Sequence, residues 1–135
     1  PCPDADAELA VYCCGPMPML EGLRAHLVGR GDVELHFERF SPPPILDGTA
    51  FDVVLNSTGE TITVAADEST LTAIRKVRPD VPYSCQQGFC GTCKMRSTAG
   101  AVDHRDSLLT EPERAAGYFL PCVSRCDSTE LAVDA

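Results

Sequence analysis

Residues 83–94 read YSCQQGFCGTCK, with three cysteines, Cys85, Cys90 and Cys93, inside nine positions, two glycines among them, and one charged side chain, Lys94, at the end. A further thiol, Cys122, follows after 28 intervening residues. A chain that crowds thiols in this way commits them to a disulfide, a zinc ion, an iron–sulfur cluster or a redox pair, and these differ in spacing and in compartment. The architecture around the loop depends on which of the four applies.

Composition narrows the choice. The net charge of −9 over 135 residues offers no basic face for nucleic acid or anionic lipid, and suits a basic partner protein instead. No apolar run approaches the roughly 20 residues of a membrane-spanning helix, and the start, PCPDADAELA, lacks the positive-then-apolar pattern of a secretory leader. A reducing, cytoplasmic setting is therefore expected, in which clustered thiols serve as metal ligands more often than as disulfides. Eight cysteines are present, but Cys2, Cys13 and Cys14 lie far from the group at Cys85, Cys90, Cys93, Cys122 and Cys126, unlike the even spread of a disulfide scaffold. A zinc ribbon has two C-x2-C knuckles where this chain has one, and a redox C-x-x-C would leave Cys85 and Cys122 without a role. C-x4-C-x2-C followed by a distant cysteine is the plant-type 2Fe-2S ligand spacing, and it stands ahead of the zinc and disulfide readings.

That chemistry fits the loop. Four thiolates around two irons and two sulfides carry a net charge near −2, so the chain must stabilise an anion without bulky walls. Gly88 and Gly91 allow tight folding that aims N–H groups at sulfur, and Ser84, Gln86, Gln87, Phe89 and Thr92 complete an uncharged surround. Cys126 reads as a small buried hydrophobe. His26, His36 and His104 read as surface or packing residues, Glu111 and Glu113 as a helix start, and no hydrolytic constellation is present.

Residues 9–40 read as strand, helix, strand: LAVYCC, then MPMLEGLRAHLVGRG with Met17, Leu20, Leu23 and Leu27 at helical spacing, then DVELHFERF with Val33, Leu35 and Phe37 alternating inward. SPPPILDGTA, residues 41–50, is a stiff proline-rich linker. Beyond it, FDVVL and TITVA form a hairpin, and DESTLTAIRKVRPD forms a helix begun by Asp67 and Glu68, ended near Pro79, and packed through Leu71 and Ile74. KMRSTAGAVDH, YFLPCVSRC and ELAVDA supply further strands, and TEPERAAG a capped helical turn. The fold class is α+β. Residues 1–50 hold three Lys/Arg against eight Asp/Glu and residues 51–135 eight against twelve, so the acidity is spread over both parts.

With its cysteine spacing and the segments VDHRDSLLT (102–110) and PCVSRC (121–126), the stretch 51–135 resembles the plant-type ferredoxin domain, a β-grasp fold, in the branch of the phthalate dioxygenase reductase family. The family order is flavin barrel, nucleotide domain, ferredoxin. VYCCGPMPML is similar to the segment that ends the nucleotide domain, which implies Cys14 beside the nicotinamide, Gly15 and Pro16 opening the helix, and Phe40, from HFERF, covering the flavin. Residues 1–40 are then the tail of an NAD(P)-binding domain. The flavin barrel and the glycine-rich pyrophosphate loop do not occur in these 135 residues. A chain beginning at Pro1 is expected to be a piece of a longer protein.

The resemblance implies a 2Fe-2S cluster here, with FMN or FAD and NAD(P)H in the complete protein. Hydride would pass to flavin, and single electrons through the cluster to a terminal oxygenase, Rieske-type or haem monooxygenase. As given, the chain is an electron-transfer piece rather than a whole enzyme. A stand-alone ferredoxin carrier with an N-terminal extension remains an alternative, as does a zinc-stabilised interaction module.

Overall fold

The computed structural model describes residues 9–15, 17–38 and 42–135, which divide into two compact units in sequence between Ser41 and Pro42. Pro16 and Phe40, and with Phe40 the assignment of a flavin-covering aromatic, lie outside the described residues.

In the first unit, β1 (Leu9–Cys14) and β2 (Val33–Glu38) pair in parallel, Leu9 opposite Val33 through Cys14 opposite Glu38. Parallel strands need a crossover, which α1 (Met17–Leu27) provides. Gly29, at φ +85°, occupies the left-handed position that ends it. Leu20 is buried, whereas Phe37 stays exposed with the Arg24 guanidinium 5.3 Å from its ring centre. Phe37 therefore departs from the inward placement expected from alternation, while Val33 and Leu35 on the same strand are half-buried.

In the second unit, β3 (Phe51–Leu55) and β4 (Thr61–Val64) form an antiparallel hairpin, and α2 (Thr70–Val77) follows. The order continues with β5 (Met95–Ala99), β6 (Val102–Asp103), α3 (Glu111–Ala115), β7 (Tyr118–Phe119), β8 (Arg125–Cys126) and β9 (Glu130–Asp134). Five strands make one mixed sheet in the order β4-β3-β9-β5-β7, with β9 parallel to β3 and antiparallel to β5, and β6 and β8 pair separately. This is an α+β, β-grasp arrangement. Alternation puts Phe51, Val53 and Leu55 on one face of β3, where they join Val64, Leu131, Val133 and Phe119 against Leu71, Ala73 and Ile74 of α2.

The start of α2 differs from expectation. Ser69 is the N-cap, its hydroxyl accepting the Thr72 N–H at 3.1 Å, so Asp67 and Glu68 precede the helix rather than open it. A serine oxygen reaching back to a free N–H fixes the first turn more closely than acidic residues acting on the dipole. Glu68 instead pairs with Lys76 at 2.6 Å. α3 carries a full capping box between Thr110 and Glu113.

The candidate metal centre

The cysteine loop leaves α2 after Arg78 and runs to β5. Three of its residues have left-handed backbone: Gln86 at φ +54°, Gly88 at +79° and Gly91 at +75°. These reversals turn successive N–H groups inward, as an anion-binding concavity requires. The Gln87 N–H meets Cys85 Sγ at 3.3 Å, the Thr92 N–H meets Cys90 Sγ at 3.5 Å, and the Gly88 N–H is directed at the Cys122 sulfur. Thr92 Oγ1 lies 3.3 Å from Cys90 Sγ.

Cys122 comes from the other end of the fold. It sits in the turn between β7 and β8, anchored where Pro121 accepts the Leu71 N–H at 2.9 Å and Ser124 accepts the Thr70 hydroxyl at 2.9 Å. The first turn of α2 thus fixes the height at which this thiol meets the loop. Cys93 and Cys122 are buried, Cys85 is half-buried and Cys90 is exposed, so the group lies just beneath the surface with one edge open.

All four thiols are free, and they lie close enough to act on one another, Cys90 with Cys85, Cys93 with Cys122 and Cys90, and Cys122 with Cys85. A tetrahedral zinc ion takes its donors around one point, typically from two C-x2-C knuckles, whereas two irons bridged by sulfide take two thiolates each, and this loop supplies C-x4-C-x2-C with Cys122 as the fourth. The donor set therefore fits a two-iron cluster. The Thr92 hydroxyl, then N–H and thiol groups around it, pull the Cys90 thiol down to about 6. The Cys122 thiol holds Cys93 at about 7 against the opposing effect of burial, and Cys122 itself is pushed up by Cys93 and by burial. Two thiols are thus poised to lose protons near neutrality, as metal loading demands.

The backing of the loop escaped sequence reasoning. Asp106 has a fully buried side chain whose Oδ2 accepts the Leu109 N–H at 2.8 Å and the Leu108 N–H at 3.2 Å, with Arg114 Nη2 at 3.5 Å. The turn so formed leans on the cysteine loop. The Ser107 N–H donates to Gly88 O at 3.2 Å, Asp106 Cα fills the space beside Gly88, and Leu108 lies over Gly91. The only available signal was the VDHRDSLLT segment, which carries no periodicity and no ligand type. His104 is mostly buried, with Nδ1 3.6 Å from Asp106 Oδ1.

Cys126 packs as a small side chain, its sulfur 3.0 Å from Ser128 Oγ, and is not drawn to the other four. Tyr83, Phe89 and Leu108 are exposed at the loop. Charges flanking it are paired locally, Lys94 with Glu113, Lys76 with Glu68, and Arg105 with Asp103. In the first unit, Cys14 is exposed at the end of β1 and borders a cavity of about 450 Å³ lined also by Tyr12, Cys13, His36 and Phe37. Gly15 follows it, its Cβ position overlapping the Met19 side chain.

A β-grasp sheet with four free thiols gathered beneath one open edge defines a 2Fe-2S electron-transfer protein of the plant ferredoxin type. Residues 53–127 match the 2Fe-2S iron-sulfur cluster binding domain family. The chain is 43% identical to phenoxybenzoate dioxygenase subunit beta of Ectopseudomonas oleovorans, over 91% of this chain and 39% of that protein. It superimposes on phthalate dioxygenase reductase, described as a modular structure for electron transfer from pyridine nucleotides to [2Fe-2S], with TM-score 0.65, 35% identity, and coverage of 93% of this chain and 40% of that one. It also superimposes on a structure of NdmA with the ferredoxin domain of NdmD from Pseudomonas putida CBB5, with TM-score 0.59, 32% identity, and coverage of 64% of this chain and 99% of that one. The chain belongs to the 2Fe-2S cluster-binding family, in the branch of phthalate dioxygenase reductase and related oxygenase reductase subunits. It spans about two fifths of the first relative's length.

Proposed function

We propose that Cys85, Cys90, Cys93 and Cys122 hold the 2Fe-2S cluster, and that the chain is the electron-outlet piece of a flavin-dependent NAD(P)H reductase serving a terminal oxygenase. The observation that carries this is the gathering of the four thiols, three from the loop with its inward-turned N–H groups and Cys122 from the β7–β8 turn, at one place beneath the surface. When bound, the cluster accepts and donates one electron at a time, whereas a nicotinamide delivers two as hydride, so a flavin must stand between them. The protein's own part is electrostatic. N–H groups of Gln87, Gly88 and Thr92 stabilise thiolate charge, the β7–β8 turn shields Cys93 and Cys122 from water, and Cys90 marks the open edge. Ser84, Gln86 and Phe89 frame the loop.

Residues 1–40 are the end of the nucleotide domain in this reading, with Cys14, Gly15 and Pro16 on the nicotinamide side and Phe40 toward the flavin, FMN or FAD. Residues 41–50 are the linker and residues 51–135 the ferredoxin domain. Related reductases are named for dioxygenase and monooxygenase systems, which supports an oxygenase as the acceptor, Rieske-type or haem. The test is the electron paramagnetic resonance spectrum of the reduced protein beside its iron and acid-labile sulfide content. A rhombic one-electron signal with two irons per chain is expected, and it should disappear in Cys93→Ser and Cys122→Ser. A colourless protein with one zinc would reject the assignment.

A further inference from the structure

The proline-rich stretch that opens the second unit does not stand free. Arg125, only 3% exposed, donates through Nη2 to Thr49 O at 2.8 Å and Ala65 O at 3.0 Å, and through Nη1 to Glu68 O, with its guanidinium 5.2 Å from the Phe51 ring centre. Arg105, held by Asp103 at 2.6 Å, donates through Nη1 to Leu46 O at 3.0 Å. Between these two points the chain makes a sharp turn, with Asp47 at φ +51°. Gly48 then packs so closely that a Cβ would stand 1.9 Å from Ala66 O and 3.0 Å from Ile45 Cγ2. Burying a cation is costly unless its donors are satisfied, and here three carbonyls from two segments, Thr49 and the Ala65–Glu68 turn, accept from it. A stretch meant only as a flexible tether would need neither a buried arginine nor a glycine pressed against backbone.

We propose that Arg125 and Arg105 are positioning residues that strap Leu46–Thr49 onto the ferredoxin unit, so that the joint between the units is confined to residues ahead of Leu46. Arg125 lies three positions beyond Cys122 and pairs through β8 with Asp103 of β6. The strap is thereby fixed to the same turn that carries a cluster thiol. Docking four residues shortens the tether by about 12 Å, at roughly 3.1 Å per extended residue. Because electron transfer falls steeply with distance, a shorter tether raises the share of time that the cluster spends within reach of a flavin on the same polypeptide. This consequence rests on the reductase reading above, while the strap itself does not.

Native-state proteolysis of the cluster-loaded chain by thermolysin tests the strap at the Ile45–Leu46 bond. In the wild type, cutting there should be at least about tenfold slower than in an isolated peptide of residues 41–52, because the strap must open first. Gly48→Ala and Arg105→Ala should each recover about fivefold or more of that rate without changing the visible spectrum. Arg125→Lys should fall between wild type and Arg125→Met. Wild-type cutting at the peptide's rate, or no acceleration in both Gly48→Ala and Arg105→Ala, would overturn the strap. In the parent reductase the same two variants should slow cluster reduction by NAD(P)H at least about threefold, with reduction by dithionite and the cluster potential unchanged. A strap protected from thermolysin whose release leaves that rate untouched would overturn the positioning role. A chain that takes up no iron and sulfide would reject the proposed function, and proteolysis would still judge the strap.

Discussion

Gly88 answers two demands at once. Its φ of +79° is a conformation that side chains resist, and the Cβ it lacks would stand 2.7 Å from Val123 Cγ2 and 3.2 Å from Asp106 Cα. Gly88→Ala is expected to destabilise the loop by about 1–2 kcal/mol from backbone alone, and to lower iron and sulfide per chain severalfold when both are assayed after reconstitution. Asp106 works behind it. Burial pushes its carboxyl up, but the Leu109 N–H, the Arg114 guanidinium and the Leu108 N–H outweigh this and hold it below the ordinary carboxylate value. A depressed pKa gives stability that is complete above the unfolded value, about 3.9, and is lost as pH falls through the lower folded one. Asp106→Asn should therefore cost about 2 kcal/mol at pH 7, with the gap to wild type closing below about pH 4 in denaturant titrations. A gap constant with pH would mean that the carboxylate charge contributes nothing. The thiols were legible in the sequence because a metal dictates ligand type and spacing. Asp106 and Arg125 were not, since their roles depend on backbone brought close by the fold: Thr49, an acceptor of Arg125, is 76 positions away.

At the scale of elements, α2 links cluster and core. Its inner face packs Leu71 and Ile74 on the sheet, and its first turn holds the Cys122 turn through the Leu71 N–H and the Thr70 hydroxyl. Two substitutions separate these functions. Ser69→Ala removes the cap and should cost about 1 kcal/mol, whereas Leu71→Ala should cost about 2–5 kcal/mol and also loosen Cys122. Thermal melts followed at once in the far-ultraviolet and in the cluster's visible band would show the cluster signal failing first only in Leu71→Ala. The hairpin of β3 and β4 could be read from alternation, because one face of each strand is buried. The helix start could not be placed from charge, because Asp67 and Glu68 suit the dipole equally well one turn too early, and only hydrogen-bond geometry selects Ser69. Periodicity likewise placed Phe37 further inward than it lies, since alternation reports which side chains share a face but not how deeply each is buried.

For the molecule as a whole, a net charge of −9 suggests steering by a basic partner, yet the flanks of the loop are occupied by local ion pairs, with exposed Tyr83, Phe89 and Leu108 among them. Electron transfer to the acceptor is accordingly expected to change less than about threefold between about 50 and about 500 mM salt in stopped-flow measurements, since screening acts on unpaired surface charge. A steep fall with salt would restore long-range attraction as the guide. The topology carries another consequence. β9 lies at the centre of the five-stranded sheet yet comes after its four companions in chain order. On the ribosome, β3 and β5 must wait, unjoined, until Glu130–Asp134 emerges to fill the gap between them. Assembly of the iron centre is thereby postponed to the end of this segment's synthesis, although Cys85, Cys90 and Cys93, three of the four thiols proposed to hold it, have been made well before.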